Sequence, residues 1–169
     1  IRIEWEGSFA DGVGAKDVML FLCGRLGMDG GRYQSVEFSG SAIRELSMQE
    51  RMTLCNMTAE LGAQAGLVEP DEVTAEWLSS RGADPGDWQS WSGDPDAKPE
   101  EEHVFDASSL VPQVAAPHSP SNAAPVPEFD SVIPNVLYLG ACTGAKLEDL
   151  RAAARILKGK TLRGNAEFW

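Results

Sequence analysis

A repeated change of apolar period limits what this chain can fold into more than any other feature. Ile1, Ile3 and Trp5 alternate with Arg2, Glu4 and Glu6, and a period of two marks a strand with one buried face. After Gly14 the spacing lengthens: Val18, Leu22 and Leu26 recur at helical separation, with Gly27 placed as a C-cap. Asp29-Gly30-Gly31 reads as a turn, and Tyr33 to Phe38 as a second strand. Ser47-Met48-Gln49-Glu50 has the form of a capping box, in which Ser47 and Glu50 satisfy each other's free amides, and it predicts a helix running to about Ala63. Gly66 to Val68 is a short strand candidate, Pro70 and Asp71 open a helix to about Ser80, and His103 to Phe105 is a further strand candidate. Strands alternating with helices predict an α/β fold.

The second half is less regular. Gly82 to Glu102 is rich in Gly, Pro, Asp and Trp and reads as a loop, with a possible helical turn at Asp84 to Trp91. Leu110 to Pro127 carries five prolines, which remove backbone donors and fix φ, so it reads as a connector rather than an element. Val136 to Leu139 has the composition of a buried strand, Gly140 to Gly144 that of a turn, and Leu147 to Lys158 that of an amphipathic helix. The break near Pro127 divides residues 1–127, a near-complete α/β unit, from residues 128–169, the opening strand and helix of a second. A length of 169 residues accommodates that division. Ile1 is not methionine, and Gly164 to Trp169 does not resemble the end of a helix or strand, so both ends are expected to be cuts.

Charge and cysteine usage narrow the function. The net charge of −12 repels phosphate backbones and anionic headgroups, so neither nucleic acid nor a membrane is an expected partner. No apolar run approaches the about 18 residues of a membrane-spanning helix. Three separated cysteines and no CxxC pair suggest a reducing compartment, hence a cytoplasmic protein, and argue against a structural zinc site.

Two places could carry chemistry. Cys142 is expected where a strand gives way to a helix N-terminus, between Gly140 and Gly144; such a position suits a thiolate ligand or nucleophile, but equally a small buried residue in a tight turn. A phosphate-binding P-loop is excluded at this segment, because only three residues separate the glycines and Ala145 intervenes before Lys146. Thr53, Asn56 and Glu60 fall at i, i+3 and i+7 and share one helix face. A narrow polar stripe of this kind faces either water or a polar pocket. Cys55, between Met52 and Met57, reads as a packing residue.

Several ordered stretches together resemble the aconitase family, most closely the large subunits of 3-isopropylmalate dehydratases. They are Ala15-Lys16-Asp17-Val18-Met19-Leu20 with Gly30-Gly31 and Val36-Glu37-Phe38-Ser39-Gly40; Ala42-Ile43-Arg44-Glu45-Leu46-Ser47-Met48 leading into Arg51-Met52-Thr53-Leu54-Cys55-Asn56-Met57 and Glu60-Leu61-Gly62-Ala63; and Leu139-Gly140-Ala141-Cys142-Thr143 with Glu148-Asp149-Leu150-Arg151. The resemblance implies a three-layer α/β/α aconitase-type domain followed by the start of a second. It also implies a hydro-lyase that dehydrates and rehydrates a hydroxy di- or tricarboxylic acid, here 3-isopropylmalate in leucine biosynthesis, with a small swivelling subunit as partner. Aconitase, homoaconitase or a substituted-malate dehydratase is the alternative enzyme, and a stand-alone domain without cluster or activity the alternative class. The family holds a [4Fe-4S] cluster on three cysteines, whose open iron acts as a Lewis acid. The resemblance makes Cys142 the first cluster ligand and Asn56 and Glu60 catalytic residues beside it. The chain departs from the family in lacking the downstream CxxC pair, the N-terminal histidines and aspartate, and the Ser and Asn that usually occupy positions 141 and 144. One cysteine cannot replace three ligands, so this chain alone is expected to bind no cluster and to be inactive.

Overall fold

The computed structural model describes residues 1–94 and 96–169. Four strands, β1 (Arg2–Glu6), β2 (Ser35–Ser39), β3 (Ala65–Val68) and β4 (Glu102–Asp106), form one parallel sheet in the order β3-β2-β1-β4. Parallel neighbours need a crossover. Helix α1 (Ala15–Leu26) supplies the first; the short helix α2 (Ser41–Arg44) and helix α3 (Met48–Met57) supply the second. Helix α4 (Glu72–Ser79) follows β3 and leads into the long loop that returns the chain to β4 at the far side of β1. No helix among the described residues is long and apolar enough to cross a membrane.

The alternation read from the sequence decides which sheet face is buried. Ile3 and Trp5 of β1 and Val36 and Phe38 of β2 are buried against Val18, Met19 and Leu22 of α1 and Leu54 of α3. Phe21 of α1 meets Trp5 and Phe105 edge-on, with ring centroids 5.6 and 5.5 Å apart, so an aromatic cluster joins α1 to the centre of the sheet. The opposite face carries Arg2, which pairs with Glu37 at 3.6 Å and Glu102 at 3.8 Å. That face also presents Val104, which is 62% exposed, and the loop bearing Trp91 and Gly93 lies beside Glu37 and Leu67. The α/β class with a parallel sheet is therefore observed. The described residues supply the sheet and the helical layer over its inner face.

Several expected boundaries are corrected. Strand β2 begins at Ser35 rather than Tyr33, because Arg32 and Tyr33 have φ of 45° and 57° and belong to the preceding turn. Helix α3 does not reach Ala63. It ends at Met57, where Thr58 Oγ1 donates to Cys55 O at 2.7 Å, and the chain tightens into a 3-10 turn, Thr58–Leu61, closed by Gly62 at φ 70°. The proline-rich connector contains a small antiparallel pair, β5 (Gln113–Ala115) and β6 (Ala123–Pro125), which packs on α1; Asp17 Oδ1 of α1 accepts from the Gln113 amide at 2.7 Å. The expected buried strand at Val136 to Leu139 is only β7 (Val136–Leu137), with Val136 and Tyr138 exposed. The C-terminal residues are a strand end after all: β8 (Glu167–Phe168) runs parallel to β7.

Helix α5 (Leu147–Leu157) buries none of its residues, and Leu147, Leu150 and Ile156 lie exposed. Its place in the molecule is set by Lys146 and Glu148 at its start, which bond to Thr53 and Ser47.

Candidate functional site

The site is built on α3. The capping box predicted from Ser47 and Glu50 is present: Ser47 Oγ accepts from the Glu50 amide at 3.4 Å and Glu50 Oε2 accepts from the Ser47 amide at 3.3 Å. Four residues after the cap, Arg51 is 2% exposed and donates to Leu46 O, Arg44 O and both carboxylate oxygens of Asp71, the N-cap of α4. Gly66 of β3 lets the sheet approach the other flank of α3; a Cβ there would stand 2.7 Å from Cys55 Cα and 2.7 Å from Thr58 Cγ2. The helix that carries the polar stripe is therefore held on two sides.

Thr53, the first member of that stripe, neither faces water nor lines an open pocket. It is buried, and its Oγ1 donates to Thr143 O at 3.0 Å. Lys146 Nζ donates to the same Thr53 Oγ1 at 2.6 Å and to Thr143 O at 2.7 Å. Nearer the helix start, Ser47 Oγ donates to Glu148 Oε2 at 3.1 Å. The turn carrying Cys142 is thereby fastened to α3 across 90 residues of sequence, with Thr143 buried and Cys142 exposed.

The two expected catalytic residues occupy the same stretch of chain beyond Thr53. Asn56 is on α3 and exposed. Glu60 is not on α3 as expected but in the 3-10 turn that continues it. It is half-buried, and its Oε2 is a buried oxygen with no hydrogen-bond partner among the described residues. It shares that condition with Trp5 Nε1, Ser39 Oγ, Gln49 Oε1 and Trp77 Nε1. Burial, with the Glu60 charge adding to it, pushes the Cys23 thiol up to about 11, and burial also raises Cys55.

Cys142 lies in a bend between β7 and α5, four residues ahead of the helix N-cap Lys146 rather than against a strand end. Its side chain is exposed, so the thiol is open to a ligand. The other two thiols do not complete a set. Cys23 is sealed in α1 and Cys55 flanks an apolar pocket with Met48, Met52 and Val68. Among the described residues no group of three His, Cys, Asp or Glu side chains is placed to hold a metal ion. The chain thus fits one ligand of a three-cysteine cluster and not the cluster itself.

Sequence reasoning missed Lys146 and Glu148 and assigned Thr53 only to a stripe. A signal for Lys146 was present: lysine is a poor residue at the start of a helix, where the dipole is positive and amides need acceptors.

Residues 1–134 match the profile of the Aconitase family (aconitate hydratase). The chain belongs to the aconitase family. This aconitase-family chain is 43% identical over 167 residues to the 3-isopropylmalate dehydratase large subunit 1 of Methanopyrus kandleri, a match covering 99% of the chain and 40% of that relative. It is 46% identical over 159 residues to the probable methanogen homoaconitase large subunit of Methanosarcina mazei, covering 94% of the chain and 40% of the relative. A third relative, the 3-isopropylmalate dehydratase large subunit of Heliobacterium modesticaldum, is 42% identical over 165 residues, with 98% and 39% covered. The chain spans about two fifths of the length of the curated relatives it matches.

Proposed function

We propose that this chain is a portion of the large subunit of an aconitase-family hydro-lyase that removes water from, and returns it to, a hydroxy di- or tricarboxylic acid. The names of the relatives favour 3-isopropylmalate as substrate and, being those of large subunits, a small subunit as partner; leucine biosynthesis and a cytoplasmic location complete this reading. Homoaconitate chemistry is the second reading, favoured by the Methanosarcina relative. Residues 1–127 are the first α/β domain in this reading, and residues 128–169 open the cluster-binding one.

The observation that carries the reading is the seating of Thr143 on Thr53. It joins the segment that carries Cys142 to α3, which bears Asn56 and runs on into the 3-10 turn of Glu60, and this supports grouping the three residues the family resemblance selects. A [4Fe-4S] cluster, when bound by the whole protein, supplies Lewis-acid polarisation of the substrate hydroxyl. Cys142 would be one of its ligands, the other two lying outside this sequence. The chain's own part is acid–base and orientation: the half-buried Glu60 carboxylate would take or return a proton, and the exposed Asn56 amide would donate to a substrate carboxylate and accept from a hydroxyl.

The test is Cys142→Ser in the full-length subunit, purified anaerobically with its small subunit. The expected result is a sharp loss of iron and sulfide relative to the unmodified protein, with folding retained. A full complement of both in the variant would reject Cys142 as a ligand.

A further inference from the structure

We propose that Lys146 is a positioning residue that pins the Cys142 turn to α3. The inference rests on the reading of Cys142 as a cluster ligand for its purpose, but its geometry stands independently of that reading. Lysine is the N-cap residue of α5, and an ammonium has no lone pair with which to cap an amide. The helix start is served instead by Asp149, whose Oδ2 accepts from the Lys146 amide at 3.0 Å. The Lys146 side chain is thereby released from the helix and turns inward. Nζ, Thr53 Oγ1 and Thr143 O form a closed triangle, with edges of 2.6, 2.7 and 3.0 Å. Thr143 O accepts from both of the others, and Thr53 Oγ1 accepts from Lys146 while donating its one proton to Thr143 O, the nearer of two acceptors, Gln49 O lying at 3.2 Å. Two of the three ammonium protons are used, and the positive charge strengthens both bonds.

The triangle addresses a difficulty that the rest of the segment leaves unsolved. The turn is short of other anchors: β7 has two residues, Cys142 is exposed, and α5 buries nothing. A Cβ at Gly144 would meet nothing within 4 Å, and Gly140 packs only on Tyr138, itself exposed, so neither glycine ties the turn to α3. Of the inter-segment contacts, Ser47 with Glu148 is exposed and weak, whereas Thr53 and Thr143 are buried. A ligand turn must be held before its metal arrives if binding is not to be reduced by the entropy of ordering it. Lys146 orders the backbone one residue from the thiol, through Thr143 O.

The measurement is amide hydrogen exchange, read by peptide mass spectrometry on the intact chain, in the unmodified protein and in Lys146→Met, Lys146→Arg, Thr53→Val and Lys146→Met/Thr53→Val. Met keeps the length of Lys without its charge, and Val keeps the shape of Thr without its hydroxyl. We expect exchange at residues 141–146 to rise on the order of tenfold in the Met and Val variants, the ratio expected when a hydrogen bond to a charged donor is lost. The double variant should add little, because both changes open the same triangle. Arg should restore protection. Peptides containing Phe38 and Leu54 should be unaffected. Unchanged exchange at residues 141–146 in Lys146→Met overturns the proposal. So does an Arg variant as loose as the Met variant, or loosening of the Phe38 and Leu54 peptides to the same degree. None of these readings involves iron, so the outcome is independent of the Cys142→Ser test.

Discussion

Arg51 donates to both carboxylate oxygens of Asp71, at 2.6 and 2.8 Å, from a side chain that is 2% exposed. The bond ties the middle of α3 to the N-cap of α4, and it fixes the roll of α3 about its own axis. That roll decides which side of the helix meets the Cys142 turn. Asp71 also accepts from the Val73 and Thr74 amides, so one carboxylate serves an ion pair and a helix cap together.

Replacing Asp71 with Asn leaves the Arg51 guanidinium buried and uncompensated while keeping much of the cap. The expected loss of stability is about 3 kcal/mol, as for other buried pairs broken from one side. Chemical denaturation should show it as a lower midpoint with an unchanged slope. A midpoint within error of the unmodified chain would mean that the pair contributes nothing.

The same pair predicts an acid limb. Burial raises the Asp71 carboxyl, but hydrogen bonding and charge from Arg51 and the two amides outweigh it, and its pKa lies below the ordinary 3.8. A group depressed in the folded state adds stability that is complete above its unfolded value and lost as pH falls through the folded one. Stability should therefore decline below about pH 4, and Asp71→Asn should remove part of that slope. An identical acid limb in the variant would assign the slope to other carboxylates.

The three thiols should separate in reactivity. Cys142 is exposed, Cys55 is half-buried, and Cys23 is buried with its thiol raised to about 11. At pH 8 iodoacetamide should modify Cys142 first, Cys55 slowly, and Cys23 only on unfolding, because the thiolate is the reacting species. Labelling of Cys23 at the Cys142 rate would contradict its burial in α1.

Glu60→Gln separates catalysis from folding. The change is nearly isosteric and neutralises a side chain whose Oε2 is buried without a partner, so the melting temperature should hold or rise. In the full-length protein with its small subunit, turnover should fall by about 100-fold or more if Glu60 moves the proton. Turnover within a few-fold of the unmodified enzyme would return Glu60 to the status of a structural residue.

By itself the sequence determined what depends on local spacing. The alternation of Ile1, Ile3 and Trp5 selected the buried sheet face, the Val18, Leu22 and Leu26 period placed α1, and Ser47 with Glu50 set the first residue of α3. These follow from backbone periodicity and from capping bonds between residues three apart, so neighbours in sequence suffice to read them. The ordered motifs around Asn56, Glu60 and Cys142 also carry the family resemblance, because their order and spacing are properties of the sequence alone. Tertiary structure decided the rest. The end of α3 at Met57 depends on Thr58 and on the Gly66 backbone pressed against Cys55, and the strand at Glu167–Phe168 exists only because β7 lies beside it. The identity of Thr53 as a buried anchor depends on Thr143 and Lys146, some 90 residues away. A polar side chain on a helix looks the same in sequence whether it meets water or a distant carbonyl. Only the fold, by bringing the second partner within hydrogen-bonding distance, makes the difference.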